Sequence, residues 1–271
     1  MYKKKAKFHK SRYSKLNTNH IVCARFIKAV LLIVAFLWWV LTMGMQVAQN
    51  FNPLDVQIYY YSLWGLLISI VSMVMSIVAV YKEGWYRSAF ISCEISFAAN
   101  LVIVILFWGV LWPEIMKMIE LAKKGDPDAD PPREALDDKT ANFFLVYQGV
   151  MHIIPFVSTA INVAITDMNL EIGDWWIVSM FFFPCYTIAN YIGSYKLGEQ
   201  VGHIGSVYGI EDWEGHFLGT LIAAAVLGLA QGGLFVLCCK LIDWCCPEEE
   251  EEKQGSKVDE EANKPRGNSI Q

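Results

Sequence analysis

A serine and a histidine are the residues of this sequence whose types and surroundings suit chemistry. His152 is the only histidine inside a long apolar stretch, and Ser62 lies near the beginning of another. A serine hydroxyl becomes a good nucleophile when a neutral imidazole within about 3 Å takes its proton. Pro155 removes a backbone donor close to His152, which loosens the helix there and gives water or substrate access. Ser62 and His152 are therefore the candidate catalytic residues.

Two observations count against this pair. No acidic residue is clearly placed to complete a triad with His152. Counting from the ends of their apolar stretches, Ser62 and His152 lie at depths that differ by about 7 Å. A tilted helix, or a helix that begins before its apolar stretch, would remove this difference. The alternative interpretation is that His152 is a hydrogen-bonded packing residue on an apolar helix.

Further polar residues lie within the apolar stretches, where such side chains face a bundle interior or a wet cavity. A tetrahedral oxyanion needs hydrogen-bond donors, and Asn100, Asn190 or Gln148 could supply one; the sequence does not choose among them. Asn and Gln also hold membrane helices together, at about 0.6 kcal/mol each. Glu94 is close to the beginning of its stretch, where it is either neutral or reaches interfacial water. The other members of this group are Asn162 and Gln231.

The elements that must position these residues are six apolar stretches, which make up more than half of the chain. A hydrocarbon core about 30 Å thick needs on the order of 20 helical residues to span it, and lipid offers backbone groups no hydrogen-bond partner. The composition agrees, since 55% of the residues are hydrophobic and 18% are charged. The sequence therefore predicts an all-α polytopic membrane protein, a bundle of six transmembrane helices. The predicted spans are approximately residues 22–46, 58–81, 88–112, 143–166, 173–195 and 217–243.

One folded domain with charged ends is predicted. Residues 1–21 form a basic cytoplasmic leader, and residues 22–243 form the transmembrane domain, with an acidic extramembrane loop at 113–142. Residues 244–271 form a disordered acidic tail, because they lack the apolar residues needed to fold. The Lys and Arg residues that crowd the first 28 positions, Arg25 and Lys28 among them, predict a cytoplasmic amino terminus by the positive-inside rule, although the basic residues of the 113–142 loop weaken this orientation.

The leader does not decide which membrane contains the protein. No acidic residue precedes Asp55, and an acid-free basic leader also fits a mitochondrial import segment. Because the leader is richer in Lys than in Arg, an endomembrane or the plasma membrane is the favoured location, with the mitochondrial inner membrane as the alternative. Cys245 and Cys246 follow the sixth stretch, where they are either acylated or act as small apolar fillers.

The sequence predicts no metal and no cofactor. None of the seven cysteines has a metal-ligand spacing supported by histidines. There is no phosphate-binding loop and no dinucleotide fingerprint in the sequence. Nothing in the sequence points to nucleic acid.

Several short motifs occur in a fixed order across the six stretches. This order and spacing, over approximately residues 24–243, resembles the androgen-induced family, which includes the androgen-dependent tissue-factor-pathway-inhibitor-regulating protein. Those are six-span membrane proteins that hydrolyse fatty acid esters of hydroxy fatty acids with an intramembrane threonine and a histidine. The matching motifs are Tyr60-Tyr61-Ser62-Leu63-Trp64, Phe107-Trp108, Trp112-Pro113-Glu114-Ile115, His152-Ile-Ile-Pro155-Phe156, the tyrosines Tyr186 and Tyr191, and the loop residues 205–210.

The resemblance implies an integral membrane esterase that hydrolyses bilayer-soluble fatty-acid esters, with Ser62 as the nucleophile and His152 as the base. Ser62 stands where the family uses threonine, and both side chains offer a hydroxyl. Gly209 stands where the family usually has proline, which changes the outer loop. The implied partners are membrane lipid and a lipid ester substrate.

A second hypothesis belongs to another class of protein, a non-catalytic multispan subunit of a larger membrane complex, with mitochondria as one location. The leader, the acidic loop at 113–142 and the acidic tail would then contact protein partners. A small carrier or channel fits less well, because we detect no pair of inverted halves and few ionisable residues that would line a path.

Overall fold

The structure is a computed structural model that describes residues 17–47, 60–125, 135–166, 170–201 and 213–245. The regular elements in these ranges are helices, and six segments are long and apolar enough to cross a membrane. The predicted all-α bundle of six transmembrane helices is confirmed, and the chain is an integral membrane protein. Most of the predicted leader and nearly all of the predicted tail lie outside the described residues, so those two predictions stay predictions.

Eight α-helices build the six spans. The third span contains α3 and α4, and the fifth contains α6 and α7. We call the end of the bundle where the first span begins the inner end, because the sequence predicts it to be cytoplasmic, and the opposite end the outer end. The helices are α1 (Thr18–Val47), α2 (Tyr61–Tyr81), α3 (Tyr86–Leu106), α4 (Trp112–Lys124), α5 (Asp138–Ile165), α6 (Trp175–Met180), α7 (Thr187–Val201) and α8 (Phe217–Cys245).

The third span continues past its predicted end at residue 112. After α3 the backbone widens into a π-helical stretch, Phe107–Leu111, and then continues as α4. Pro113 does not end the helix, because it lies in the first turn of α4, where a missing N–H is tolerated. Lys123 Nζ lies 2.6 Å from a carboxylate oxygen of Asp138, which joins the end of the third span to the start of the fourth. Helix therefore occupies part of the segment predicted as an extramembrane loop at 113–142.

The fifth span is interrupted. Between α6 and α7 the segment Phe181–Tyr186 contains Phe183 with non-helical dihedral angles, φ −123° and ψ 117°. Pro184 follows directly and lacks the N–H that a continuous helix would use. Irregular backbone at membrane depth is tolerated where it is buried in protein or lines a cavity. Here Phe181 packs against the rings of Tyr61 and Trp64 at the start of the second span.

The third span is the centre of the bundle. Phe90, Cys93 and Phe97 share one apolar cluster with Val178 of the fifth span and Phe235 of the sixth. The second and fourth spans also pack against the third. Large apolar side chains on the other faces of the spans are exposed, as expected of surfaces that contact lipid tails.

Two glycines bring the sixth span against the fifth. A Cβ added at Gly228 would lie 2.7 Å from the Cβ of Phe183, and one added at Gly232 would collide with the Ser179 hydroxyl. Small residues spaced by four allow this close approach between membrane helices. The spacing Gly228–Gly232 therefore sets the separation between these two spans.

Candidate active site

Ser62 lies at the outer end of a stripe of side chains on the second span, whose other members pack against the first, third and fourth spans. Leu66, Ser69 and Met73 follow it at helical spacing, so all four lie on one side of the helix. Leu66 and Met73 belong to an apolar cluster with Ala29 and Leu32 of the first span, against which Met151 of the fourth span packs. Ser62 itself is half-buried, and within the described ranges its hydroxyl forms no hydrogen bond.

A buried hydrogen-bonded network lies closer to the inner end of the bundle than Ser62 does, and it joins the second, third and fourth spans. Ser69 Oγ lies 2.9 Å from Ser96 Oγ, which lies 3.0 Å from Thr159 Oγ1. Asn100 Nδ2 donates to Ser69 Oγ at 2.8 Å and to the carbonyl of Ser96 at 2.7 Å. We call the contact of these three helices the three-helix seam; the network, Ser69, Ser96, Asn100 and Thr159, fixes it.

His152 lies on the side of the fourth span that faces this seam. Thr159, a member of the network, follows it two turns later on the same side of the helix. His152 Nδ1 lies 2.7 Å from the carbonyl oxygen of Gln148. Since a carbonyl oxygen only accepts, Nδ1 donates and carries the proton, and Nε2 is the nitrogen that can accept one.

Ser62 and His152 lie at a similar level of the seam. Gly65 packs against Ile103, and Ser62 is one helical turn further towards the outer end. Phe107 is one turn beyond Ile103 in the same direction, and its ring stacks on His152. At 1.5 Å per residue these two steps differ by only about 1.5 Å. The predicted difference of depth is removed because the fourth span begins earlier than its apolar stretch, at Asp138, and extends further outward.

Ser62 and His152 thus lie on spans that meet at one seam, but no hydrogen bond joins Ser62 to His152 in the described part of the chain, and their pairing as catalytic residues stays a prediction. Apo sites of this kind are often loose and tighten when substrate binds. Among the residues that the structure describes, His152 has no acidic partner, and its Nδ1 donates to a backbone carbonyl in place of a carboxylate.

The three candidates for an oxyanion donor differ in their surroundings. Asn100 uses its Nδ2 donors within the network of the three-helix seam. Asn190 is on the fifth span, where its Oδ1 accepts from Trp213 Nε1 at 2.9 Å. Gln148 is one turn outward from His152, is half-buried, and its side chain forms no hydrogen bond within the described residues. Gln148 is therefore the candidate whose amide is best placed to donate to an oxyanion.

The other polar residues predicted inside the membrane hold helices together. Gln231 of the sixth span accepts a hydrogen bond from Tyr61 OH at 2.6 Å and donates to the carbonyl of Val178 at 3.0 Å. Glu94 is fully buried, and its Oε1 accepts from the backbone N–H of Glu171 at 2.7 Å. Glu94 therefore ties the third span to the loop before the fifth, at the inner end.

Arg25 and Lys28 are among the basic residues that predict the orientation, but both side chains are buried in the bundle, which the sequence did not lead us to expect. Arg25 is 0% exposed and Lys28 is 9% exposed. The signal was present in the spacing, because Ile21, Arg25, Lys28 and Leu32 recur on one side of a helix whose other side is apolar and exposed.

Within the described residues no group of His, Cys, Asp and Glu side chains is arranged to hold a metal ion. No protein-family model, characterised protein or solved structure matches this chain. The resemblance to the androgen-induced family therefore depends on the motifs quoted above and stays a prediction.

Proposed function

We propose that this chain is an integral membrane esterase that hydrolyses bilayer-soluble fatty-acid esters, such as fatty acid esters of hydroxy fatty acids. The observation that supports it most directly is the hydrogen bond from His152 Nδ1 to the Gln148 carbonyl at 2.7 Å. This hydrogen bond selects the tautomer in which Nε2 is the base. Ser62, whose hydroxyl forms no hydrogen bond in the described part of the chain, lies at a similar depth on a neighbouring span.

In the proposed reaction Ser62 Oγ attacks the ester carbonyl while His152 Nε2 takes the hydroxyl proton. The tetrahedral oxyanion accepts a hydrogen bond from the Gln148 amide. When the intermediate collapses, the ester C–O bond breaks and the imidazolium returns the proton to the departing alkoxide. Water, activated by the same imidazole, then hydrolyses the acyl-serine and releases the fatty acid.

Two features of the surroundings support a reaction at this place. The ring that stacks on His152 belongs to the π-helical stretch Phe107–Leu111, and short π-helical segments occur often at functional sites. Trp108 in this stretch is 38% exposed and lies beside Gly149 of the fourth span, where an added Cβ would be 3.6 Å from the indole ring. An ester dissolved in the bilayer would approach the site sideways, past Trp108.

Purified protein in nanodiscs tests the proposal with a fluorogenic ester and with an ester of a hydroxy fatty acid. Ser62→Ala and His152→Ala should each lower kcat by about 10²–10⁴-fold, because each removes one partner of the proton transfer. Ser62→Thr keeps a hydroxyl and should retain turnover. Labelling by a serine-reactive fluorophosphonate can be compared in the same variants. Ser88→Ala, at an exposed serine of the third span, is the matched control for that labelling. Unchanged turnover in a folded His152→Ala variant would contradict the proposal.

The proposed location is an endomembrane or the plasma membrane with a cytoplasmic amino terminus, and the mitochondrial inner membrane is the alternative. Protease protection of terminal tags in sealed vesicles tests the orientation, and fractionation tests the membrane. Co-purification with a large complex, together with no turnover and no fluorophosphonate labelling, would favour the non-catalytic subunit, whose contacts would use the acidic loop or the tail.

A further inference from the structure

Two buried cations mark a second polar site, at the inner half of the bundle and separate from Ser62 and His152. Arg25 and Lys28 are 0% and 9% exposed, whereas Phe26 and Ile27 between them are 60% and 53% exposed. The apolar residues thus face lipid and the cations face the helices. An ammonium or guanidinium group inside a membrane protein is costly unless it is paired, and it marks a functional site by default.

Arg25 is held by the second and fourth spans. Its Nε donates to Asn162 Oδ1 at 3.0 Å, and its Nη1 donates to the carbonyl of Ser76 at 3.3 Å. Asn162 Nδ2 in turn lies 3.7 Å from the Cys93 thiol of the third span. Arg25 therefore fixes the place where the first four spans meet.

Lys28 has a different environment. Its buried Nζ has no hydrogen-bond partner among the described residues, and the same holds for the buried hydroxyls of Ser72 and Ser76. Lys28 is one turn outward from Arg25, and Ser72 is one turn outward from Ser76, whose carbonyl Arg25 contacts. Lys28 and Ser72 are therefore level with each other. Ser72 also lies beside the Cys93 thiol, without a hydrogen bond of ordinary geometry.

Three buried donors within about one helical turn along the bundle, none of them with an acceptor among the described residues, are unusual, because more than about nine in ten buried polar groups have partners. An oxyanion would satisfy them, since each of its oxygens accepts more than one hydrogen bond and its charge balances the Lys28 ammonium. We propose that Lys28, Ser72 and Ser76 form a binding site for the oxyanion of an anionic amphiphile, a carboxylate or a phosphate, drawn from the inner leaflet. The exposed apolar residues beside Lys28 would contact its alkyl part.

Native mass spectrometry and thermal unfolding of the full chain in a neutral detergent test the site. The probes are oleic acid, phosphatidic acid, phosphatidylcholine as the zwitterionic control, and inorganic phosphate. Wild type should retain oleic acid or phosphatidic acid through the detergent and unfold at a higher temperature in its presence, whereas phosphatidylcholine should have no effect. An effect of inorganic phosphate comparable to that of the lipids would support the oxyanion site and assign its source to solution.

Lys28→Met keeps an unbranched side chain, one atom shorter, and removes the ammonium charge, so it should weaken retention at least ten-fold. Lys240→Met removes the same charge from an exposed position of the sixth span and should leave retention unchanged. Ser62→Ala should also leave retention unchanged, because the site does not depend on the esterase. Equal retention by wild type and Lys28→Met would overturn the proposal.

An internal carboxylate is the competing acceptor for Lys28. Asp167 follows the fourth span and lies outside the described residues. If wild type responds to none of the anions and Asp167→Asn lowers the unfolding temperature as much as Lys28→Met does, Lys28 pairs with Asp167 and the proposal is overturned. A response of Asp167→Asn to the anions equal to that of wild type would support the site.

Discussion

The phenyl ring of Phe107 lies flat against the imidazole of His152, with ring centroids 3.7 Å apart and an angle of 8° between the planes. Phe107 is 1% exposed and begins the π-helical stretch of the third span. The Gln148 carbonyl holds the same imidazole at Nδ1. The ring contact and the hydrogen bond together fix the direction of His152 Nε2, so the third span orients a candidate catalytic group of the fourth.

Phe107→Ala should lower esterase turnover, because the imidazole would no longer be held in one orientation. We expect kcat to fall about 10²-fold with little change of KM, the effect of a misplacement of roughly 1 Å at a reacting group. Phe97→Ala is the matched control. Phe97 is on the same span as Phe107, but its ring packs against Phe156 of the fourth span, with ring centroids 5.9 Å apart, and not against His152. Equal losses of kcat in both folded variants would mean that Phe107 only stabilises the bundle.

The six spans were predictable because the bilayer imposes one strong requirement, a run of apolar residues long enough to cross it. The end of the third span was not predictable in the same way. Pro113 and the charges after it are typical of a loop, yet the π-helical stretch carries the helix past Trp112, and Pro113 then lies in a first turn. Local composition does not report such a change of helical pitch.

The site was predictable in part. Ser62 and His152 stand out in the sequence because a serine and a histidine lie within apolar stretches. The packing of the spans that carry them is not given by the sequence alone. Composition grouped Lys28 with the basic residues near the amino terminus, because a count of basic residues ignores the side of the helix on which each one lies. Asn100 looked like an oxyanion donor, and only its contacts with Ser69 and Ser96 show that its donors are used within the seam.

Gly232→Val should destabilise the contact between the fifth and sixth spans. A Cβ at Gly232 would collide with the Ser179 hydroxyl and lie 3.2 Å from the carbonyl oxygen of Trp175, so both backbones must move. We expect a loss of roughly 1–3 kcal/mol in the free energy of unfolding, typical of overpacking. Gly233→Val is the control, because a Cβ there meets nothing within 4 Å. Thermal unfolding in one detergent measures both variants; equal shifts would contradict the packing described here.

Asn162→Leu should destabilise the inner half of the bundle, because it removes the Oδ1 acceptor of Arg25 Nε. A hydrogen bond to a charged group contributes about 1.5–3 kcal/mol, so we expect a loss of this size in denaturant unfolding. Asn142→Leu, at an exposed position of the same helix, should have little effect. Arg25→Met combined with Asn162→Leu should lose less than the sum of the two single variants, because the charge and its acceptor are removed together. Strict additivity would show that Arg25 and Asn162 do not interact.

Asp137 caps the fourth span. Its Oδ2 accepts from the Thr140 hydroxyl at 2.6 Å and its Oδ1 from the Thr140 backbone N–H at 3.0 Å. These hydrogen bonds, that of the Thr140 side chain first, lower the pKa of the Asp137 carboxyl below its ordinary value. The ionised cap therefore stabilises the folded helix above the unfolded-state pKa of about 3.9, and this stabilisation is lost as pH falls through the lower folded-state pKa.

Hydrogen exchange in the first turn of α5 should accordingly speed up at acidic pH relative to an Asp137→Asn variant measured at the same pH. Asparagine keeps an oxygen that accepts from the Thr140 N–H but does not titrate in this range, so the comparison removes the intrinsic effect of pH on exchange. Asp137→Ala has no acceptor and should exchange faster than both at neutral pH. If the ratio of wild-type to Asp137→Asn exchange rates stays constant between neutral pH and pH values below about 4, the cap is not the titrating group.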